Sequence, residues 1–132
     1  MLNTDGVRKT SYGKPIQILA NVEHQMSVGC IVPKTMASTV DGKSIVPAGT
    51  ALNINLMKLQ DRAKVPTDES PMNAVLLHDV DMTNVAEGGA MNGTALIWGF
   101  VNVNRLRTAE QSSIAKAAAV KGGTDKITLL KV

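Results

Sequence analysis

The sequence predicts a mainly β fold with a minor α component: a small antiparallel β-barrel or sandwich with one C-terminal helix and an extended N-terminal arm. Three observations predict it. Residues 74–106, AVLLHDVDMTNVAEGGAMNGTALIWGFVNVNRL, place two β-prone runs around a loop rich in glycine and asparagine, the pattern of a long-looped antiparallel hairpin. Asp41-Gly42 stands between two further β-prone runs, and Asp-Gly suits the positive φ angles of a tight hairpin turn. One helical pattern follows over residues 109–121, bounded by start and stop signals.

In chain order, residues 1–22 form the arm. Its first part is polar, with Arg8, Lys9 and Lys14 against Asp5, and Gly6, Gly13 and Pro15 oppose regular structure. Such a segment is either a disordered terminus or one that orders on a partner's surface. Residues 15–22, PIQILANV, read as a short strand with Ile16 and Ile18 on one pleat, and His24 as a solvated loop residue. Residues 28–33 form a brief strand at a sheet edge, stopped by Pro33. A hairpin about Asp41-Gly42-Lys43 comes next, then a second turn, Pro47-Ala48-Gly49-Thr50, in which proline fixes one φ and glycine accepts the unusual one. Residues 51–59 alternate, with Leu52, Ile54 and Leu56 on one side and Asn53, Asn55 and Met57 on the other, predicting a half-buried strand. Residues 60–71 turn polar, with Pro66 and Pro71, and predict an exposed loop whose length points to a binding role or to mobility.

Within the central hairpin, residues 74–83 put Leu76, His78, Val80 and Met82 on one pleat and Val75, Leu77, Asp79 and Asp81 on the other. Residues 94–104 are apolar on both pleats up to the asparagines, which predicts a strand covered on both sides. Between them, Gly88-Gly89 and Asn92-Gly93 serve as turn-formers. Thr108 with Gln111 has the capping-box spacing, and Glu110 suits the positive first turn. The helix has an apolar stripe of mostly small residues, Ile114, Ala117, Ala118 and Val120 or Lys121, and Gly122-Gly123 end it. Residues 126–132 close the chain as a strand that pairs back into the sheet.

Length fits one domain. The chain is 44% hydrophobic but only 2% aromatic, so the core must come from Val, Ile, Leu, Met and Ala, and burial against copies of itself would add to it. A formal charge of +3 is mild, and neither half is a polycation, which gives little support to nucleic-acid binding. The lone Cys30 excludes an intrachain disulfide and fits a reducing cytoplasm. No apolar run approaches the roughly 18 residues of a membrane helix, and no signal-peptide pattern opens the sequence.

Catalytic chemistry finds few groups to work with. Nucleophilic catalysis needs a base oriented beside an activated side chain, and the chain has two histidines, His24 and His78, and one cysteine. A strand puts Asp79 and Asp81 on one face about 7 Å apart, with His78 pointing the other way, so the three read as structural or solvated rather than as metal ligands. Neither Gly-Gly pair has the setting of a phosphate loop. The expectation is no enzyme, no catalytic residue, no metal and no cofactor. Arg105 and Arg107 flank Leu106 and read first as surface ion-pair partners, second as phosphate contacts.

Four phrases occur in order: Ile31-Val32-Pro33-Lys34; Asp41-Gly42-Lys43-Ser44-Ile45-Val46-Pro47-Ala48-Gly49-Thr50; Val75-Leu76-Leu77-His78-Asp79-Val80-Asp81; and Gly99-Phe100-Val101-Asn102-Val103-Asn104-Arg105-Leu106. In that order they resemble the head decoration proteins of tailed bacteriophages and the related capsid-anchored bases of head fibres. The resemblance covers roughly residues 28–132. It implies a mainly β domain, residues 23–132, that forms trimers on the outer surface of the capsid and cements neighbouring copies of the major capsid protein. It also implies a virion protein synthesised in the host cytoplasm, whose arm, residues 1–22, reaches over the lattice. Arg8, Lys9, Tyr12 and Lys14 are then the candidate capsid contacts. The longer N-terminal half departs from the shortest members of the family and the missing shaft departs from head fibres, so both assignments stay open. Trp98, Phe100 and Leu106 are candidates for the oligomer interface or for the core. A second expectation, of another class, is a small basic module binding nucleic acid through Arg105, Arg107 and the arm, or binding a host-surface ligand.

Overall fold

The longest strand, β7 (Ala90–Asn102), is the axis to which the other elements attach. The computed structural model describes residues 17–120 and 126–131. The arm contacts Arg8, Lys9, Tyr12 and Lys14, the strand residue Ile16 and the helix stop Gly122-Gly123 lie outside the described residues.

Three antiparallel strands precede β7 in its sheet: β1 (Met26–Pro33), β4 (Ala51–Leu52) and β5 (Ala74–Leu76), in the order β1-β7-β5-β4. The last strand, β8 (Ile127–Leu130), joins β7 in parallel, from Gly99↔Ile127 to Asn102↔Leu130. A second antiparallel sheet holds β2 (Ser38–Val40), β3 (Lys43–Val46) and β6 (Val80–Asp81). The fold is thus mainly β with one helix near the C-terminus, α1 (Thr108–Ala119), as predicted, and of the two architectures the sandwich is the compatible one, since the described strands close no barrel.

The pleat alternation of the central stretch sorts its side chains between two cores. Val75, Leu77, Leu96 and Val101 pack with Ile114 of α1 and with Ile18 and Leu19 on one face of the large sheet. Leu76, Val80, Met82 and Ala95 pack with Val32 and Val46 on the other, so the small sheet covers that face. Each Val, Leu or Ile fully buried in this way contributes about 1.5–3 kcal/mol. The Asp41-Gly42 hairpin forms as predicted, with φ of 50° and 77° and the flanking pair Val40↔Lys43.

Several sequence expectations need correction. Residues 74–83 are not one strand: β5 belongs to the large sheet and β6 to the small one. The chain changes sheets where Asp79 Oδ1 accepts a 2.7 Å hydrogen bond from the Ala48 amide. Asn92-Gly93 is no turn but lies within β7, opposite Ile31 and Cys30. Glycine is there for packing, because a Cβ would stand 3.1–3.3 Å from Val32, Leu76 and Val80. After Leu52 the 51–59 strand stops, Asn53 making a lone bridge to Lys64, and Leu56 and Met57 turn outward. Loop 60–71 is largely exposed but tied down at Ala63, which is buried and donates its amide to the Ile31 carbonyl. The capping box does not form: Arg107 occupies the cap position without a side-chain bond, while Gln111 Nε2 donates to the Leu106 carbonyl at 2.9 Å. Only Ile114 of α1 is buried, Ala117 is half-buried, and Ala118 of the expected stripe is exposed.

The described end of the arm is part of the fold. Ile18 and Leu19 are both buried. Leu19 bridges Val101, and the Ala20 amide donates to the Phe100 carbonyl at 2.9 Å. Backbone pairing to β7 therefore continues the sheet beyond β5.

Candidate functional site

On β7 the burial runs from Ala95 and Leu96, both at 0% exposure, to Trp98 at 44%. The only tryptophan of the chain is therefore not in the monomer's own core. Opposite it in the register is Met26, the first residue of β1, at 58% exposure. Directly paired residues on antiparallel strands stand on one face with side chains in reach of each other, so Trp98 and Met26 form a joint apolar surface at the end of the sheet. A shift in register between Met26 and Ser27 marks an irregularity there, a device that re-aims side chains at sheet rims.

Gly99 makes this corner possible. A Cβ on it would lie 3.2 Å from both the Gln25 Cβ and the Leu96 Cδ1, so the segment before β1 packs closely against the glycine. Gln25 Oε1 is buried there and accepts no hydrogen bond from the described residues. Buried acceptors are nearly always paired in folded proteins, and this one lies beside the exposed Met26. Val22, 57% exposed, lies within the turn in which Asn21 Oδ1 accepts from the amides of Glu23 and His24.

The other candidates are distributed differently. Phe100 is half-buried and Leu106 is buried at 5%, under the Gly49 turn. Arg105 donates to the Gln17 carbonyl at 3.1 Å, clasping the docked segment, and Arg107 lies 3.9 Å from Asp79, a partner the sequence did not identify. Asp81 Oδ1 accepts from the Thr83 amide at 2.9 Å; the Thr83 side chain and amide together hold its carboxyl below the ordinary value. His78 is exposed. Burial pushes the Cys30 thiol up, against a smaller downward pull from the Gly93 backbone. Among the described residues no three His, Cys, Asp or Glu side chains converge as a metal site would require.

Sequence reasoning missed Met26. Its importance comes from its register with a residue 72 positions away, which no local period encodes. It also missed Met57, 95% exposed on a tight turn closed by Lys58–Asp61 at 3.7 Å and by Asn55 Oδ1 accepting from the Met57 amide. Comparison with protein-family models, with curated proteins and with solved structures finds no match to this chain.

Proposed function

We propose that this chain is a structural protein of a bacteriophage virion. It binds the outer surface of the capsid as an oligomer, with a trimer the form implied by the family resemblance, and acts by covering and clamping capsid subunits without a reaction of its own. The observation that carries the reading is the exposed Trp98–Met26 pair. Tryptophan concentrates binding energy at interfaces when its ring is covered, and a sulfur beside a ring adapts to an irregular partner. Gln25 Oε1, which accepts no hydrogen bond from the described residues, offers a polar contact next to the pair of the kind that fixes orientation.

The nucleic-acid reading rests on Arg105, Arg107 and the arm; the basic residues of the arm lie outside the described residues, while Arg105 donates to the Gln17 carbonyl and Arg107 lies 3.9 Å from Asp79. A salt titration separates the two, since phosphate binding weakens steeply with ionic strength.

Co-sedimentation with empty expanded capsids tests the proposal. Full-length protein is expected to pellet with capsids, and Trp98→Ser is expected to weaken binding about thirtyfold, matching a hot spot of about 2 kcal/mol. The arm is tested by deleting residues 1–14. Deletion through residue 22 would remove the core residues Ile18 and Leu19 and confound binding with unfolding. Wild-type protein that ignores capsids at low and high salt overturns the reading.

A further inference from the structure

Strand β1 has β7 on one side, and the alternation of its backbone decides what the other side offers. In an antiparallel pair, successive residues turn their amide and carbonyl groups alternately toward the partner strand and away from it. The Ile31 carbonyl points away from β7, since it accepts from the Ala63 amide at 2.8 Å, while the Lys34 amide turns back to the Gly89 carbonyl just before β7. Register is unbroken from Ser27 to Pro33, so Ser27 and Gly29 share the outward direction of Ile31, and no described residue hydrogen-bonds to their amides or carbonyls. Residues 61–63 take the edge at Ile31 alone, because the chain before them turns away, the Asp61 amide donating to the Lys58 carbonyl at 3.1 Å.

From Ser27 to Val32 this edge carries no charge and no proline, the residues with which edges oppose unwanted pairing. Gly29 is exposed, and a Cβ on it would meet nothing within 4 Å. Beside it lies a cavity of about 380 Å³ lined by Ile31, Leu59, Gln60 and Asn92. An edge glycine leaves a gap in the sheet face that a large side chain on a neighbouring strand fills.

We propose that the Ser27–Gly29 edge is a strand-addition site: an extended segment of a partner protein pairs antiparallel with Ser27 and Gly29 and lays an aromatic side chain over Gly29, against Ile31 and Leu59. Main-chain donors and acceptors in a row are recognised by another extended main chain, and the protein already uses the same edge in this way at Ile31. The β1 strand of a second copy does not fit, because in a pairing centred on Val28 its Gln25 would fall opposite Ile31, where residues 61–63 stand. The inference goes beyond the capsid-binding reading and does not depend on it.

The test uses the full chain and two acetylated, amidated tetrapeptides, Phe-Val-Thr-Val and Ala-Val-Thr-Val, titrated to millimolar concentration and followed by backbone amide NMR shifts. The phenylalanine peptide is expected to give saturable shifts centred on Ser27, Gly29, Leu59 and Gln60 and to bind about fivefold tighter than the alanine peptide, the size of one aromatic cross-strand contact. Gly29→Pro removes an amide that β7 does not use, and is expected to keep the fold and abolish binding of both peptides. Gly29→Val, whose side chain has room, is expected to keep binding and lose the preference for phenylalanine. No saturable shift at residues 27–29, equal affinity for the two peptides, or undiminished binding by Gly29→Pro overturns the proposal. So do the same shifts on concentrating the protein without peptide, which give the edge to a second copy, and binding that begins only when residues 1–14 are deleted, which gives it to the chain's own arm.

Discussion

Replacing Ile114 with alanine probes how α1 is held. Ile114 is the one fully buried residue of the twelve in the helix, at 0% exposure, and it packs into the core of Val75, Leu96 and Val101. Ile→Ala removes three carbons at about 0.8 kcal/mol each, so about 2.4 kcal/mol of transfer free energy is lost. The cavity adds to this, within the range of about 2–5 kcal/mol for such changes. Alanine's better helix propensity offsets about half a kcal/mol. A net loss of about 3 kcal/mol is expected, a large part of the stability of a domain this size. Urea unfolding followed by far-ultraviolet circular dichroism reads it as a fall in midpoint of about 1–3 M, for slopes typical of small proteins. The companion variant is Ala118→Glu, which a stripe through Ala118 would make damaging and which its exposure makes neutral within about 0.5 kcal/mol. A loss below about 1 kcal/mol for Ile114→Ala, or a larger loss for Ala118→Glu, would refute the single-anchor account.

Two further outcomes follow from the geometry. Gly49 has φ of +89°, and a Cβ there would fall 2.3 Å from Leu106 Cδ2; Gly49→Ala should cost about 2–4 kcal/mol in the same assay, from left-handed strain and overpacking together, whereas Gly88→Ala, at φ +82° with open space, should show only the strain. Glu110→Gln should raise stability near neutral pH. A carboxyl raised on folding contributes stability that is present below its unfolded value, 4.5, and lost as pH rises through the folded value; the variant's advantage should therefore vanish in melts below about pH 4.5.

Local chemistry was legible where it acts locally. Asp41-Gly42 could be read because its positive φ angles need only the two residues themselves, and the division of Val75 and Leu77 from Leu76, Val80 and Met82 follows from the pleat even though the strand breaks between them. Illegible features depend on distant partners. Asp79 lies between β5 and β6, where its carboxylate accepts from the distant Ala48 amide, and Gly93 reads as a turn until Val32 and Val80 are known to close on it. The capping box at Thr108 fails because Gln111 turns to Leu106 instead. Trp98 was legible as important but not as exposed, since an apolar run on both pleats does not say where the cover of the sheet ends.

The claim that the Trp98 surface is what a capsid covers has a direct reporter, because the chain has one tryptophan. With 5-hydroxytryptophan incorporated at that position, its emission can be excited apart from the tryptophans of the capsid and its quenching by acrylamide measured with and without capsids. Free protein should be readily quenched, as 44% exposure requires, and quenching should drop severalfold on capsids. Equal quenching in bound and free protein would place the contact elsewhere and contradict the account.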